Sequence, residues 1–270
     1  MLNQSKNVFQ AEVDAACELI DFFNFNIKYA QDIYSEQPLY SPEPTWNMVQ
    51  YRPLEGFVFA VTPFNFTSIS ANLPAAPALM GNAALWKPAS SSVFSGYFLM
   101  QLFREAGLPG GVINFIPGQG RVLGDIVMKN ENLAGIHFTG STSVFQQMWK
   151  TVGKNIQKYK TYPRIVGETG GKDFILAHAS AEGDSLVTAM VRGAFEYQGQ
   201  KCSAASRCYI PGFLWENIKD KYIEQVNSIK MGDVADFRNF MNAVIDKSSF
   251  DKIASYIDFA RKADDAEILT

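Results

Sequence analysis

Apolar residues recur along this chain in two alternating rhythms. Near the start, Val8, Ala11, Ala15, Leu19, Phe22 and Phe23 fall at helical spacing, which predicts an amphipathic helix over roughly Gln10 to Tyr34 packed on the body of the protein. Cys17, on or near that stripe, is expected to be a small buried side chain. Residues 36–54 hold four prolines and little periodicity, so they form a connector or an edge hairpin. Beyond them the pattern becomes regular. Phe57-Val58-Phe59-Ala60-Val61 is a short, nearly all-apolar run, as a strand buried on both faces of a parallel sheet has to be. Similar runs follow at Ala83 to Trp86, Val112 to Ile116, Ala134 to Phe138 and Arg164 to Val166. Helical patterns separate them at Thr67 to Met80, Ser92 to Ala106, Gln119 to Lys129 and Ser143 to Val152. Pro74 and Pro77 are expected near the start of the first of these helices or at a kink in it. Gly107 and Pro109 stop the second.

Short apolar strands alternating with amphipathic helices argue for βαβ units, hence an α/β fold with a doubly wound parallel sheet. Such sheets bind ligands outside the carboxyl ends of their strands. The loops that follow each strand are therefore where chemistry is to be sought.

Composition narrows the picture only a little. With 270 residues, 47% hydrophobic and 19% charged, the chain can bury a sizeable core in one large domain or two. A net charge of −3 gives no electrostatic case for nucleic acid or a membrane surface. No run approaches the roughly 18 apolar residues of a spanning helix. The three cysteines, Cys17, Cys202 and Cys208, form no CxxC pair, which argues against a disulfide framework or a cysteine zinc site and for a reducing compartment. The two histidines, His137 and His178, are far apart, so a metal site or a histidine triad would be hard to assemble. Glu12, Asp14, Glu18 and Asp21 punctuate the start, unlike an acid-poor transit presequence.

Several loops hold unusual residues. Thr62-Pro63-Phe64-Asn65-Phe66 places a side-chain amide just past the first strand, where it could face a developing negative charge or simply serve a turn. Lys87, directly after the second strand, could meet a ribose or phosphate, or be a solvated surface lysine. Phe138-Thr139-Gly140-Ser141-Thr142-Ser143 leads from strand into helix, and its free N–H groups suit a phosphate; plain Ser/Thr capping fits as well. It lacks a GxGxxG spacing, and Phe145 stands where a second glycine might be sought. Glu168, beside Gly170 and Gly171, is either a group aimed at a reacting centre or an exposed loop carboxylate. Cys202 lies in the polar stretch Gly199-Gln200-Lys201-Cys202-Ser203-Ala204, as an accessible thiol would. Cys208, in Arg207-Cys208-Tyr209-Ile210, reads as a core strand residue.

Taken together and in order, Pro63-Phe64-Asn65-Phe66, Lys87-Pro88, Phe138-Thr139-Gly140-Ser141, Glu168-Thr169-Gly170-Gly171-Lys172 and Gly199-Gln200-Lys201-Cys202 resemble the aldehyde dehydrogenase superfamily, along the whole chain. The interval of 34 residues from Glu168 to Cys202 matches the family's habit. The resemblance implies an aldehyde dehydrogenase-like α/β fold. A cofactor domain over 1–167, with a doubly wound parallel sheet, would be followed by an incomplete α/β catalytic domain over 168–270. It implies Cys202 as nucleophile, Asn65 and the Cys202 backbone N–H as oxyanion donors, and Glu168 as general base for water. Thr62, Lys87, Gly140, Ser141, Thr142, Ser143 and Val144 would contact NAD, and Ser203 the substrate. The residues around the motifs point, by the same resemblance, to oxidation of L-glutamate 5-semialdehyde to L-glutamate, a step of proline breakdown. The resemblance further implies a mitochondrial matrix location and a full-length homo-oligomer, with no metal, nucleic acid or membrane. Another aldehyde substrate, or a nucleotide-binding fragment without catalysis, are the alternatives.

Two residues depart from the family pattern. Ser90 stands where many relatives carry an acidic residue that grips the ribose hydroxyls, which loosens the preference for NAD over NADP. Phe145 replaces a glycine of the pyrophosphate loop. Family members also run close to twice this length, so the chain is expected to be a fragment or truncated form that lacks later cofactor and substrate contacts.

Overall fold

The computed structural model describes residues 1–270. They group into two units, one of Glu12–Thr169 and one of Met1–Ala11 with Gly170–Thr270. The eleven N-terminal residues thus go with the later half of the chain, whereas the expected division kept them with the sheet-bearing half.

The expected single N-terminal helix is three segments of different winding: α1 (Val8–Ala11), a π-helical stretch (Glu12–Cys17) and α2 (Glu18–Ser35). The wider π winding shifts which residues share a face. Leu19 and Phe23 of α2, one turn apart, reach the core, while Cys17 is exposed rather than buried. Residues 36–54 form no hairpin strands. Instead the Gln37 side chain clips the loop, accepting from Val49 N at 2.9 Å and donating to Val49 O at 3.2 Å.

The first unit is built on five parallel strands: β1 (Phe57–Val61), β2 (Ala83–Lys87), β3 (Ile113–Phe115), β4 (Leu133–Gly140) and β5 (Arg164–Thr169), in the order β3-β2-β1-β4-β5. Helices α3 (Thr67–Leu79), α4 (Val93–Glu105), α5 (Gly120–Val127) and α6 (Thr142–Asn155) alternate with them. Register explains why both faces are apolar. Phe59 pairs with Leu85 and Ile136, and these pack with Val127, Met148 and Val152 beneath α5 and α6. The neighbouring pair Ala60 and Trp86 points the other way, where Trp86 packs with Ala71 and Leu99 of α3 and α4. Each fully buried large apolar side chain contributes about 1.5–3 kcal/mol. The chain winds one way from β1 to β3 and the other way through β4 and β5. The crevice outside the carboxyl ends of β1 and β4 is therefore the topological switch point, where open α/β sheets bind ligands.

Pro74 and Pro77 sit in the second half of α3, not near its start. Pro77 has no N–H to give the Leu73 carbonyl four residues back. That carbonyl is satisfied from outside the helix, accepting from His137 Nδ1 of β4 at 2.9 Å. Burial holds His137 below the usual imidazole pKa, partly offset by this bond, which fits a neutral ring with its proton on Nδ1.

The second unit contains a two-stranded parallel sheet of β6 (Asp173–Leu176) and β7 (Ala205–Tyr209), with α7 (Gly183–Phe195), α8 (Gly212–Asn227) and α9 (Lys247–Lys262). Its core is Leu186, Val187, Met190, Leu214 and Ile218 under Ile175. Two helices start on acidic caps: Glu182 accepts from Asp184 N and Ser185 N, and Asp246 from Ser249 N. Cys208 lies on β7 as expected, but exposed rather than in the core; enough apolar surface surrounds it for burial to push its thiol up. No helix is long and apolar enough to cross a membrane.

Candidate active site

The carboxyl edge of the five-stranded sheet collects most of the residues singled out in the sequence. Val61 pairs with Lys87 on one side and Phe138 on the other, and Thr139 pairs with Glu168. Lys87, the Thr62–Asn65 turn, the Gly140–Ser143 turn and Glu168 therefore line one rim in strand order. Neighbouring strands lie about 4.8 Å apart, so the rim from Lys87 to Glu168 spans three such steps, roughly 14 Å.

Lys87 is not a solvated surface lysine. It is 9% exposed, and burial lowers its pKa. A Cβ added at Gly120, the first residue of α5, would stand 3.5 Å from its Nζ. A cation there faces the positive end of a helix, which is electrostatically unfavourable unless an oxygen ligand joins both. No carboxylate pairs with it. Sequence reasoning missed this second half of the pocket, for which the Gly118-Gln119-Gly120 stretch between β3 and α5 is the signal.

At the switch point, α6 begins at Thr142 with Ser141 as its cap residue, and no side chain caps its first N–H groups. Ser141 Oγ instead meets Ser143 Oγ at 3.4 Å. Ser141, Thr142, Ser143 and Val144 are all exposed, so the helix N-terminus is open to an anion. Gly140 and Gly167 are required for another reason. A Cβ at Gly140 would come within 2.7 Å of the Phe138 ring, and one at Gly167 within 2.3 Å of the Phe145 ring. Phe145 stacks on Phe138 with centroids 5.4 Å apart. The phenyl ring thus packs down onto the sheet at the base of α6.

Thr62 is 3% exposed, and its hydroxyl is engaged inward: Trp86 Nε1 donates to it at 3.0 Å and Ser70 Oγ lies 2.9 Å away. Only its main chain is left to meet a cofactor. Asn65 is half-buried in the turn between β1 and α3. Glu168 is exposed and sits within β5 rather than in the loop beyond it.

Cys202 and Ser203 belong to the second unit, in the turn leading to β7. Cys202 is half-buried and Ser203 exposed. Gly171, three residues after Glu168 in sequence, lies against this turn; a Cβ there would be 2.6 Å from the Cys202 carbonyl oxygen. Ahead of the thiol, Tyr197 (φ 52, ψ 41), Gln198 (φ 55, ψ 25) and Gly199 (φ 67) are successively left-handed. Such a conformation costs on the order of 1–3 kcal/mol at a non-glycine residue and persists only where the surroundings enforce it. Nothing in the sequence marks Tyr197 or Gln198 for it.

Comparison with known proteins follows the same lines. The aldehyde dehydrogenase family profile matches residues 1–270. A mitochondrial delta-1-pyrroline-5-carboxylate dehydrogenase of Dictyostelium discoideum is 55% identical over 271 residues, which is 100% of this chain and 49% of that protein. The human protein of the same name is 49% identical over 270 residues, again 100% of this chain and 48% of the relative. A crystal structure of the Mycobacterium tuberculosis delta-pyrroline-5-carboxylate dehydrogenase bound with NAD superposes with a TM-score of 0.95 at 52% identity, covering 98% of this chain and 49% of that one. The chain spans about half the length of the curated relatives it matches. With its whole length matched and its parallel sheet reproduced, the chain belongs to the aldehyde dehydrogenase family.

Proposed function

We propose that this chain carries the cofactor-binding edge and the nucleophile of an NAD-dependent dehydrogenase that oxidises L-glutamate 5-semialdehyde to L-glutamate in mitochondria, as part of a homo-oligomer. The observation that carries the cofactor reading is the buried Lys87 at the N-terminus of α5, on the same rim as the uncapped N-terminus of α6. One site suits a ribose hydroxyl, the other a pyrophosphate. The substrate follows the names of the relatives, two of which are also called mitochondrial.

In this reading the Cys202 thiolate adds to the aldehyde carbon, and the Asn65 amide with the Cys202 backbone N–H donates to the oxyanion. NAD, when bound, accepts the hydride. That leaves a thioester on Cys202, and Glu168 takes a proton from the water that releases the acid. Ser203 contacts the substrate, and the backbone of Thr62 and of Gly140 to Val144 the cofactor.

Alkylation tests this sharply, because Cys17 and Cys208 are the exposed thiols and Cys202 is only half so. Iodoacetamide is expected to modify Cys202 first nonetheless, at a rate that NAD changes, and NADH is expected to form from glutamate semialdehyde. Labelling in order of exposure, indifferent to NAD, defeats the reading. NAD binding in a calorimeter without turnover would instead leave a nucleotide-binding module.

A further inference from the structure

The left-handed turn before Cys202 is held from two distant parts of the chain. The Gln198 amide nitrogen donates to Ser5 O at 3.2 Å and to Ala243 O at 2.9 Å, while its oxygen accepts from Asn242 N at 3.0 Å. The Tyr197 hydroxyl donates to Gln4 O at 2.8 Å, and Lys6 Nζ stands 4.4 Å from the centre of the same ring. Tyr197 is fully buried. Gln200 adds a third tie, accepting from Ile245 N at 2.9 Å. The surroundings therefore grip the side chains of both left-handed residues.

We propose that Tyr197 and Gln198 are positioning residues for Cys202. The N-terminal strap Gln4–Lys6 and the segment Asn242–Ile245 lock the turn through these two side chains, and so fix the direction in which the thiol and its peptide N–H point. This rests on the nucleophile assignment above. Both act through the turn, since Tyr197 is fully buried and the Gln198 amide is bonded to main-chain atoms. A thiolate in a fixed turn keeps a constant set of peptide dipoles around it, whereas a turn free to relax to right-handed conformations averages them away.

The test is the pH–rate profile of iodoacetamide alkylation at each cysteine, read by mass spectrometry, in the 270-residue chain and in Gln198→Met, which keeps the bulk and removes all three hydrogen bonds. The Cys202 midpoint is expected to move upward and its rate near pH 7 to fall by about threefold or more, the change in thiolate fraction given by roughly half a pH unit. The Cys17 and Cys208 profiles stay as in the parent, whatever the three lost hydrogen bonds cost in urea stability. An unchanged Cys202 profile overturns the proposal. So does a change shared by all three thiols with a lower urea midpoint, which would make Gln198 merely structural. If Gln198→Met does not fold, Tyr197→Phe, which deletes one hydroxyl, replaces it: an upward move confined to Cys202 supports the clamp, and an unchanged or shared profile overturns it. Indifference of the parent's Cys202 to NAD would remove the dehydrogenase reading, and the comparison of variant with parent would still decide the clamp.

Discussion

A buried ammonium beside the positive end of a helix weakens the fold that holds it. Burial lowers the Lys87 pKa, so the folded chain binds that proton less tightly than the unfolded chain does. The penalty is present at neutral pH and lifts only as pH rises past the lowered value. Lys87→Met is therefore expected to weaken NAD binding in a calorimeter while leaving the thermal midpoint unchanged or higher, the usual opposition of site and stability. A lower midpoint would show that the ammonium is stabilising and the electrostatic account wrong. His137 follows the same direction of linkage in a lower pH window. Its buried neutral ring serves the Leu73 carbonyl that Pro77 abandons. The folded pKa is depressed, so its contribution is complete above about pH 6.5 and lost as pH falls below that. His137→Ala is expected to cost about 1–3 kcal/mol in urea unfolding at pH 8 by stranding that carbonyl, with a gap to the parent that narrows toward pH 5. A gap constant with pH would mean the ring does not titrate against folding.

Among the elements, the packing of α6 on β5 depends on a missing side chain. Phe145 occupies the space a Cβ at Gly167 would need. Gly167→Ala alone is expected to destabilise by about 1–3 kcal/mol, as overpacking does, and Phe145→Leu in the same chain to recover part of that. Additive losses in denaturant melts would contradict the contact. These elements are unevenly legible in the sequence. β1, β2 and β4 show as apolar runs because a strand buried on both faces has little polar alternation to disguise it, as in Phe57–Val61, whereas β5 is mostly exposed and only its Arg164–Val166 start is legible. The end of β2 and the start of α6 each fall one residue from the sequence reading, at Lys87 rather than Trp86 and at Thr142 rather than Ser143. What stays hidden is set by partners distant in sequence. Pro74 and Pro77 persist inside α3 with the help of His137. Cys17 turns outward because the helix is wound wider there. The left-handed Tyr197 and Gln198 are enforced by Gln4, Ser5, Asn242 and Ala243. Exposure of Cys208 follows from a sheet that has two strands, which no local pattern states.

At the scale of the molecule, that small sheet in the second unit has consequences. Parallel strands are normally covered on both faces, yet Phe174 is 60% exposed and Leu176 73%, with Tyr209 packed edge-on to Phe174 at 5.8 Å. Such an exposed apolar face favours self-association. The chain is expected to form concentration-dependent oligomers in sedimentation, reduced by Leu176→Lys; unaltered sedimentation would assign them to another surface. The clamp on Tyr197 and Gln198 has a consequence of its own for biosynthesis. Gln4 and Ser5 are made 193 residues ahead of their partners Tyr197 and Gln198, and Asn242 and Ala243 follow later still. Closing so long a loop is slow relative to local helix formation. A nascent chain will thus have all five strands of its larger sheet in hand while the turn ahead of Cys202 still waits for the partners that lock it.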